Sequence, residues 1–397
     1  MKNVLIKLLS LAVAAVFVFP FGAVAAESEQ SEEMPVAVNA KSAVLVDVSS
    51  GKVLAAMNEH ERLYPASVTK IMTLLLVMEA IDDGTLNLND TVVASPNAAA
   101  KGGSQIWLKE GESMTVDELL RATAIYSAND ACEALGEHIA GSEEALVSLL
   151  NERAGELGMT NTHFDNCTGL DDTTTSHLTT AYDIALMSVE LLKHDLIRKY
   201  TTVWMDSLRN GATQLVNTNK LVRFYDGATG LKTGTTSKAG CCVAASAERG
   251  GTHLVAVVMG SPTSDDRFDA AKALLNWGFA NYETASPVPD DSLLADVKVI
   301  GGYEESFKPA VEVPKPLLLK KGSTDKLEQS IELATDVQAP VAAGERVGTL
   351  TFTLDGETVA QYPVIAPEEI KKLDFFEVLR RFLSSFASFT KPTGAMQ

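Results

Sequence analysis

The chain has 397 residues, 46% hydrophobic and 21% charged, with a formal net charge of −19. Its length exceeds one typical domain, and its composition is that of a globular protein with a sizeable core. The acidic balance argues against a nucleic-acid partner.

Four cysteines and six scattered histidines show no close ligand spacing, so no metal or cofactor is expected. Cys241 and Cys242 are adjacent, and Cys132 and Cys167 are isolated. Free buried thiols are the expected state, with a Cys132–Cys167 bridge as the alternative.

Residues 1–26 read as a secretory signal: Lys2 and Lys7, the apolar run 8–21, and the small-x-small pattern Ala23-Val24-Ala25. The protein is therefore expected at the outer face of the cytoplasmic membrane or in the cell wall. After an acidic leader, segments 42–48 and 53–57 read as strands joined by Ser49-Ser50-Gly51-Lys52. The run 68–81 lacks Gly and Pro and is apolar throughout, the pattern of a buried helix. Segments 116–126, 131–139, 142–157 and 181–192 carry apolar residues at i, i+3, i+4 spacing. A capping box at Thr180 and Asp183 opens the last of them. The period then changes: 231–235, 241–247 and 254–259 read as strands and 266–279 as a closing helix. Strands at both ends with helices between them imply an α+β domain, 27–285, whose one antiparallel sheet is assembled from distant segments.

Around Ser286-Pro287-Val288-Pro289 the composition shifts, which predicts a domain boundary. Residues 286–366 hold short alternating segments such as 349–354, followed by an Asp355-Gly356 hairpin turn, the signature of a small all-β domain. In the tail, 367–397, Phe375, Leu379, Phe382, Phe386 and Phe389 fall on one helical stripe. Lys371, Lys372, Arg380 and Arg381 lie nearby against Asp374 and Glu377. Such a segment is too charged to span a bilayer and suits a helix lying in the membrane surface. Packing on the body or on a partner is the alternative.

Three short segments carry chemistry. Ser67 and Lys70, in Ser67-Val68-Thr69-Lys70, stand one turn apart on one face. A serine hydroxyl needs a nearby base, and a lysine becomes one when burial and a second cation lower its pKa. Lys232 is the candidate second cation. Ser127-Ala128-Asn129 follows a helix on a short loop, where Ser127 can pass a proton to a leaving nitrogen and Asn129 can bind a substrate amide. Read alone, that segment is an N-cap. Lys232-Thr233-Gly234 lies on a strand where Gly234 permits close backbone approach. An extended peptide can pair there with its carboxylate facing Thr233 and Lys232.

With Tyr64-Pro65-Ala66-Ser67, the run Gly158 to Phe164, Gly169-Leu170-Asp171 and Leu274 to Phe279, these motifs make the chain resemble the low-molecular-mass penicillin-binding proteins, specifically the serine-type D-alanyl-D-alanine carboxypeptidases. The resemblance covers most of the chain beyond the signal. It implies the penicillin-binding/β-lactamase-like fold, with a helical subdomain beside the sheet. It also implies Ser67 as nucleophile, Lys70 as general base, Ser127 as proton donor to the departing D-alanine, and backbone N–H groups of Ser67 and Thr235 as the oxyanion hole. Thr233 and Arg267 match positions associated with the substrate carboxylate. The implied partners are peptidoglycan stem peptides, with β-lactams as covalent inhibitors. Thr235 stands where His or Tyr is common, and Ala128 where Gly is common. A β-lactamase, a DD-endopeptidase or transpeptidase, and a non-catalytic penicillin-binding sensor or scaffold are the rival readings.

Overall fold

The computed structural model describes residues 32–312 and 315–389. The expected signal at 1–26 and the end of the tail lie outside these residues. The central sheet comprises β1 (Glu32–Glu33), β2 (Ser42–Asp47), β3 (Val53–Met57), β4 (Ala228–Thr236), β5 (Gly240–Arg249) and β6 (Thr252–Ser261). Their spatial order is β1-β3-β2-β6-β5-β4. All pairs are antiparallel except the short β1–β3 contact. β2 pairs with β6 from Ser42↔Met259 to Asp47↔Leu254, so the sheet does join distant segments, as its sequence pattern predicts.

β2 and β6 read as unbroken apolar runs because both sheet faces are covered. Val44, Val46, Val255 and Val257 face one core, shared with the helices. Ala43, Leu45, Leu254 and Ala256 face a second, closed by Phe268, Ala271, Leu274 and Leu275 of the long helix Ser264–Asn281. Helix α1 (Lys70–Asp82) follows a 3-10 turn over Ala66–Thr69. It buries Ile71, Met72, Leu74, Leu75, Val77 and Met78, the all-round apolar character of a central helix. Around it stand α2 (Val116–Arg121), α3 (Asn129–Ala140), α4 (Glu143–Glu156) and α5 (Ala181–Leu191).

Two local expectations need correction. The helix expected over 116–126 divides, α2 giving way to a π-helical turn over Ala122–Tyr126 that delivers the chain to Ser127. At the start of α5, Thr180 accepts from Asp183 N, but the short Asp183 carboxylate turns to Asn161 N and Thr162 Oγ1 instead of back to the cap. The reciprocal box stands at Thr115 and Glu118, opening α2.

Beyond helix α6 (Ser264–Asn281), strand Tyr282–Ala285 pairs with Leu317–Lys320. A four-stranded sheet follows, with β7 (Ala310–Val311), β8 (Glu328–Leu333), β9 (Arg346–Leu354) and β10 (Glu357–Ile365) in order β7-β10-β9-β8. Asp355 (φ 50°) and Gly356 (φ 85°) supply the paired positive φ values of a two-residue hairpin turn. The core here is small, built on Val297, Val347, Leu350, Phe352 and Val364. Helix α7 (Phe375–Phe389) leaves this region with its polar side tied down. Tyr303 Oη donates to Asp374, and Arg381 donates to the Tyr303 carbonyl and to Glu377. Phe375, Phe376, Leu379 and Leu383 are exposed. Among the described residues, no helix is long and apolar enough to cross a membrane.

Candidate active site

Ser67 sits on the 3-10 turn ahead of α1, and its Oγ accepts a hydrogen bond from Lys70 Nζ at 3.0 Å. Ala66 holds φ at +49°, a left-handed conformation costly for a residue with a Cβ. Two glycines confine this turn. A Cβ on Gly234 of β4 would meet Pro65 O at 2.7 Å and Ser67 N at 2.8 Å. A Cβ on Gly169, itself at φ +83°, would fall inside the Ala66 carbonyl. The close approach expected at Gly234 is thus made by the chain's own backbone beside Ser67.

Lys70 is fully buried. Its Nζ also donates to Asn129 Oδ1 at 2.5 Å and to the Thr168 carbonyl at 2.9 Å. Burial pushes this amine below the ordinary lysine range, against the pull of Cys132, Cys167 and Asp130. Lys232 on β4 is buried as well, its Nζ reaching the Thr233 carbonyl at 3.1 Å. Burial, and after it the charge of Lys70, pushes Lys232 well below its usual value. Two buried ammonium groups repel, so the pair favours a state in which one amine is neutral and able to take a proton.

Ser127 is buried and left-handed (φ 67°, ψ 28°), at the end of the π-helical turn. Asn129 opens α3, yet its side chain does not cap the helix. It bridges Lys70 and the Gly102 carbonyl, the latter at 2.6 Å. Thr233 donates to Thr218 Oγ1 at 2.8 Å. Arg267 is buried behind the strand end, with Nη1 donating to Gly234 O at 3.0 Å and Thr235 Oγ1 at 2.9 Å. β4 is the last strand of its sheet, so its outer edge has no strand partner among the described residues. That edge can take an added strand.

Several supports of this site carry no motif. Asp130, fully buried, accepts from Ile106 N and Leu108 N and fixes the loop that closes on Asn129. Asn166 Oδ1 accepts from Thr168 N and Gly169 N, shaping the loop that presents the Thr168 carbonyl. Thr236 Oγ1 donates to Asp171, joining that loop to β4. The Gly169-Leu170-Asp171 run signals the loop in sequence, whereas Asp130 and Asn166 give no separate sign. Among the described residues, no group of three or more His, Cys, Asp and Glu is placed to hold a metal ion.

Residues 27–263 match the D-alanyl-D-alanine carboxypeptidase family model, and residues 282–372 match that of the penicillin-binding protein 5 C-terminal domain. The D-alanyl-D-alanine carboxypeptidase DacF of Bacillus subtilis is 42% identical over 92% of this chain and 94% of its own. Penicillin binding protein 5 of Haemophilus influenzae superposes with a TM-score of 0.73 at 30% identity, covering 85% of this chain and 99% of that one. Penicillin-Binding Protein D2 of Listeria monocytogenes, in its ampicillin-bound form, superposes at 0.57 and 30% identity, over 62% of this chain and 99% of that one. The family anticipated from the motifs is therefore the right one: the chain belongs to the D-alanyl-D-alanine carboxypeptidase family of serine-type, penicillin-binding hydrolases.

Proposed function

We propose that this protein removes the terminal D-alanine from peptidoglycan pentapeptide stems through an acyl-enzyme on Ser67. The observation that carries the reading is the 3.0 Å contact between Ser67 Oγ and a fully buried Lys70 whose pKa is lowered. Neutral Lys70 takes the hydroxyl proton as Oγ attacks the carbonyl between the two D-alanines. The oxyanion forms against the backbone N–H groups of Ser67 and Thr235; loss of one such donor typically costs about 10²–10³ in rate. Ser127 relays the proton to the departing amine, and the C–N bond breaks. Water then cleaves the ester with Lys70 again as base.

The stem peptide lies along the free edge of β4, with Asn129 at its amide. Its carboxylate is met by Thr233 and Lys232, with Arg267 acting from behind Gly234 and Thr235. β-Lactams enter the same path and remain as esters of Ser67.

Around this centre, residues 1–26 direct export, 27–285 form the catalytic domain, and 286–366 form a spacer lifting it toward the wall. Residues 367–397 anchor the protein on the outer face of the membrane through α7, whose exposed Phe375, Phe376, Leu379 and Leu383 support insertion among lipids.

The test is release of D-alanine from diacetyl-L-Lys-D-Ala-D-Ala, with mass spectrometry after benzylpenicillin. D-alanine release and a slowly cleared adduct on the Ser67 peptide are expected, both lost in Ser67→Ala. Rapid, sustained penicillin turnover would instead mark a β-lactamase.

A further inference from the structure

Cys132 and Cys167 are free and fully buried, with Sγ atoms 4.0 Å apart. They connect the two elements that hold Lys70. Cys132 lies one turn along α3 from Asn129, whose Oδ1 accepts from Lys70. Cys167 immediately precedes Thr168, whose carbonyl accepts from the same nitrogen. The Cys167 carbonyl accepts from Thr73 of α1 at 3.1 Å and from the Cys132 thiol at 3.4 Å. Neither sulfur has a part in the acyl transfer.

A path leads inward to the pair. Cys167 donates its S–H to Glu133 Oε2 at 3.0 Å, and Glu133 pairs with Lys101 at 3.3 Å. Lys101 lines an open groove of about 890 Å³, together with Asn166, Thr168 and Leu170. The sulfurs therefore lie one layer of side chains below the groove. Cys241 and Cys242, as neighbours on β5, point to opposite sheet faces and have no such relationship.

We infer that Cys132 and Cys167 are a redox couple whose closure to a disulfide slows acylation of Ser67, an inference that rests on the role proposed above for Lys70. With hydrogen peroxide as oxidant, the Cys132 sulfur attacks one oxygen and the O–O bond breaks. A sulfenic acid forms, and the first water leaves with the thiol proton. The Cys167 sulfur then attacks the sulfenic sulfur, the S–S bond forms, and hydroxide leaves with the second thiol proton as water. The couple gives up two electrons and peroxide accepts them.

A disulfide holds its sulfurs about 2.05 Å apart, so closure from 4.0 Å draws the loop carrying Thr168 toward α3. It also removes the S–H that Glu133 accepts. The two acceptors of Lys70 shift against each other, and Lys70 against Ser67. Misplacement by about 1 Å in a catalytic geometry costs about 10²-fold.

The purified full chain would be treated with hydrogen peroxide, mapped by non-reducing peptide digestion, and assayed for acylation by a fluorescent penicillin before and after dithiothreitol. A Cys132–Cys167 linked peptide is expected, with acylation slowed roughly tenfold or more and restored by dithiothreitol. In Cys167→Ser the ratio of rates with and without peroxide should stay near one, whatever the basal rate. Absence of the linked peptide overturns the inference, as does a linked peptide with an unchanged rate. Failure of the reduced protein to be acylated at all would bring down the acyl-transfer reading, and this inference with it.

Discussion

His177 Nε2 and Thr69 Oγ1 lie 2.8 Å apart, tying a loop residue to the turn that carries Ser67. The Asp165 backbone N–H donates to the other ring nitrogen, Nδ1, at 2.9 Å. Nδ1 therefore accepts, Nε2 carries the hydrogen, and Thr69 passes the chain on by donating to the Ala66 carbonyl at 2.9 Å. The ring is locked neutral, because a proton on Nδ1 would face an N–H. Burial pushes His177 down to about 4.

That arrangement fixes a pH dependence. Between about 4 and 6.5 the unfolded chain binds a proton at His177 that the folded chain refuses, so stability is lost as pH falls through this window. The same sign holds for His253, also pushed down to about 4 by burial. Chemical denaturation at pH 7 and pH 4.5 should show a smaller loss for His177→Gln than for the parent protein, by about 2–3 kcal/mol. Equal losses in the two proteins would refute the account.

Asn129→Asp should move the acylation profile toward alkaline pH. A carboxylate in place of the Oδ1 now 2.5 Å from Lys70 Nζ would hold the ammonium form, and an opposite charge this close shifts a pKa by about 1–3 units. Penicillin acylation measured from pH 6 to 10 should be slowest relative to the parent at neutral pH and recover at the alkaline end. An unmoved profile would rule out Lys70 as the base.

Gly234→Ala should cripple acylation more than it harms folding. The added Cβ meets Pro65 O and Ser67 N, displacing the nucleophile's turn, for which about 10² in rate is the expected scale. Stopped-flow acylation alongside a thermal melt separates the two effects. A near-parental acylation rate would show that the turn tolerates displacement.

Phe376→Asp combined with Leu379→Asp should abolish sedimentation with phosphatidylglycerol vesicles while tripeptide hydrolysis in solution persists. Both side chains are exposed on α7, far in sequence from the acylation centre. Undiminished sedimentation would place the lipid contact elsewhere.

Sequence made the centre legible where chemistry demands a particular side chain. Ser67, Lys70, Ser127, Lys232 and Gly234 announce themselves because each stands in a short motif whose chemistry calls for that residue type. Partners that act through backbone atoms leave no such trace. The Thr168 carbonyl on Lys70 and the Gly102 carbonyl on Asn129 carry no residue identity. The motif points Asn129 toward a substrate amide, and a pairing between residues 129 and 70 has no local periodicity to reveal it. Glu133 shows the same limit. It sits in a helix where a carboxylate would be read as solvated, yet it is fully buried against Cys167 and Lys101. Secondary structure was legible wherever both sheet faces or a whole helix are apolar. It failed at Ala122–Tyr126, where a widened turn looks like ordinary helix from its composition.

Gly169 and Gly234 both close on the Ser67 turn with no space to spare. Selection for antibiotic resistance therefore has little purchase on the floor beneath the nucleophile, since bulk added there blocks drug and natural peptide alike. Escape has to be sought at the open lip, where Thr235 is exposed.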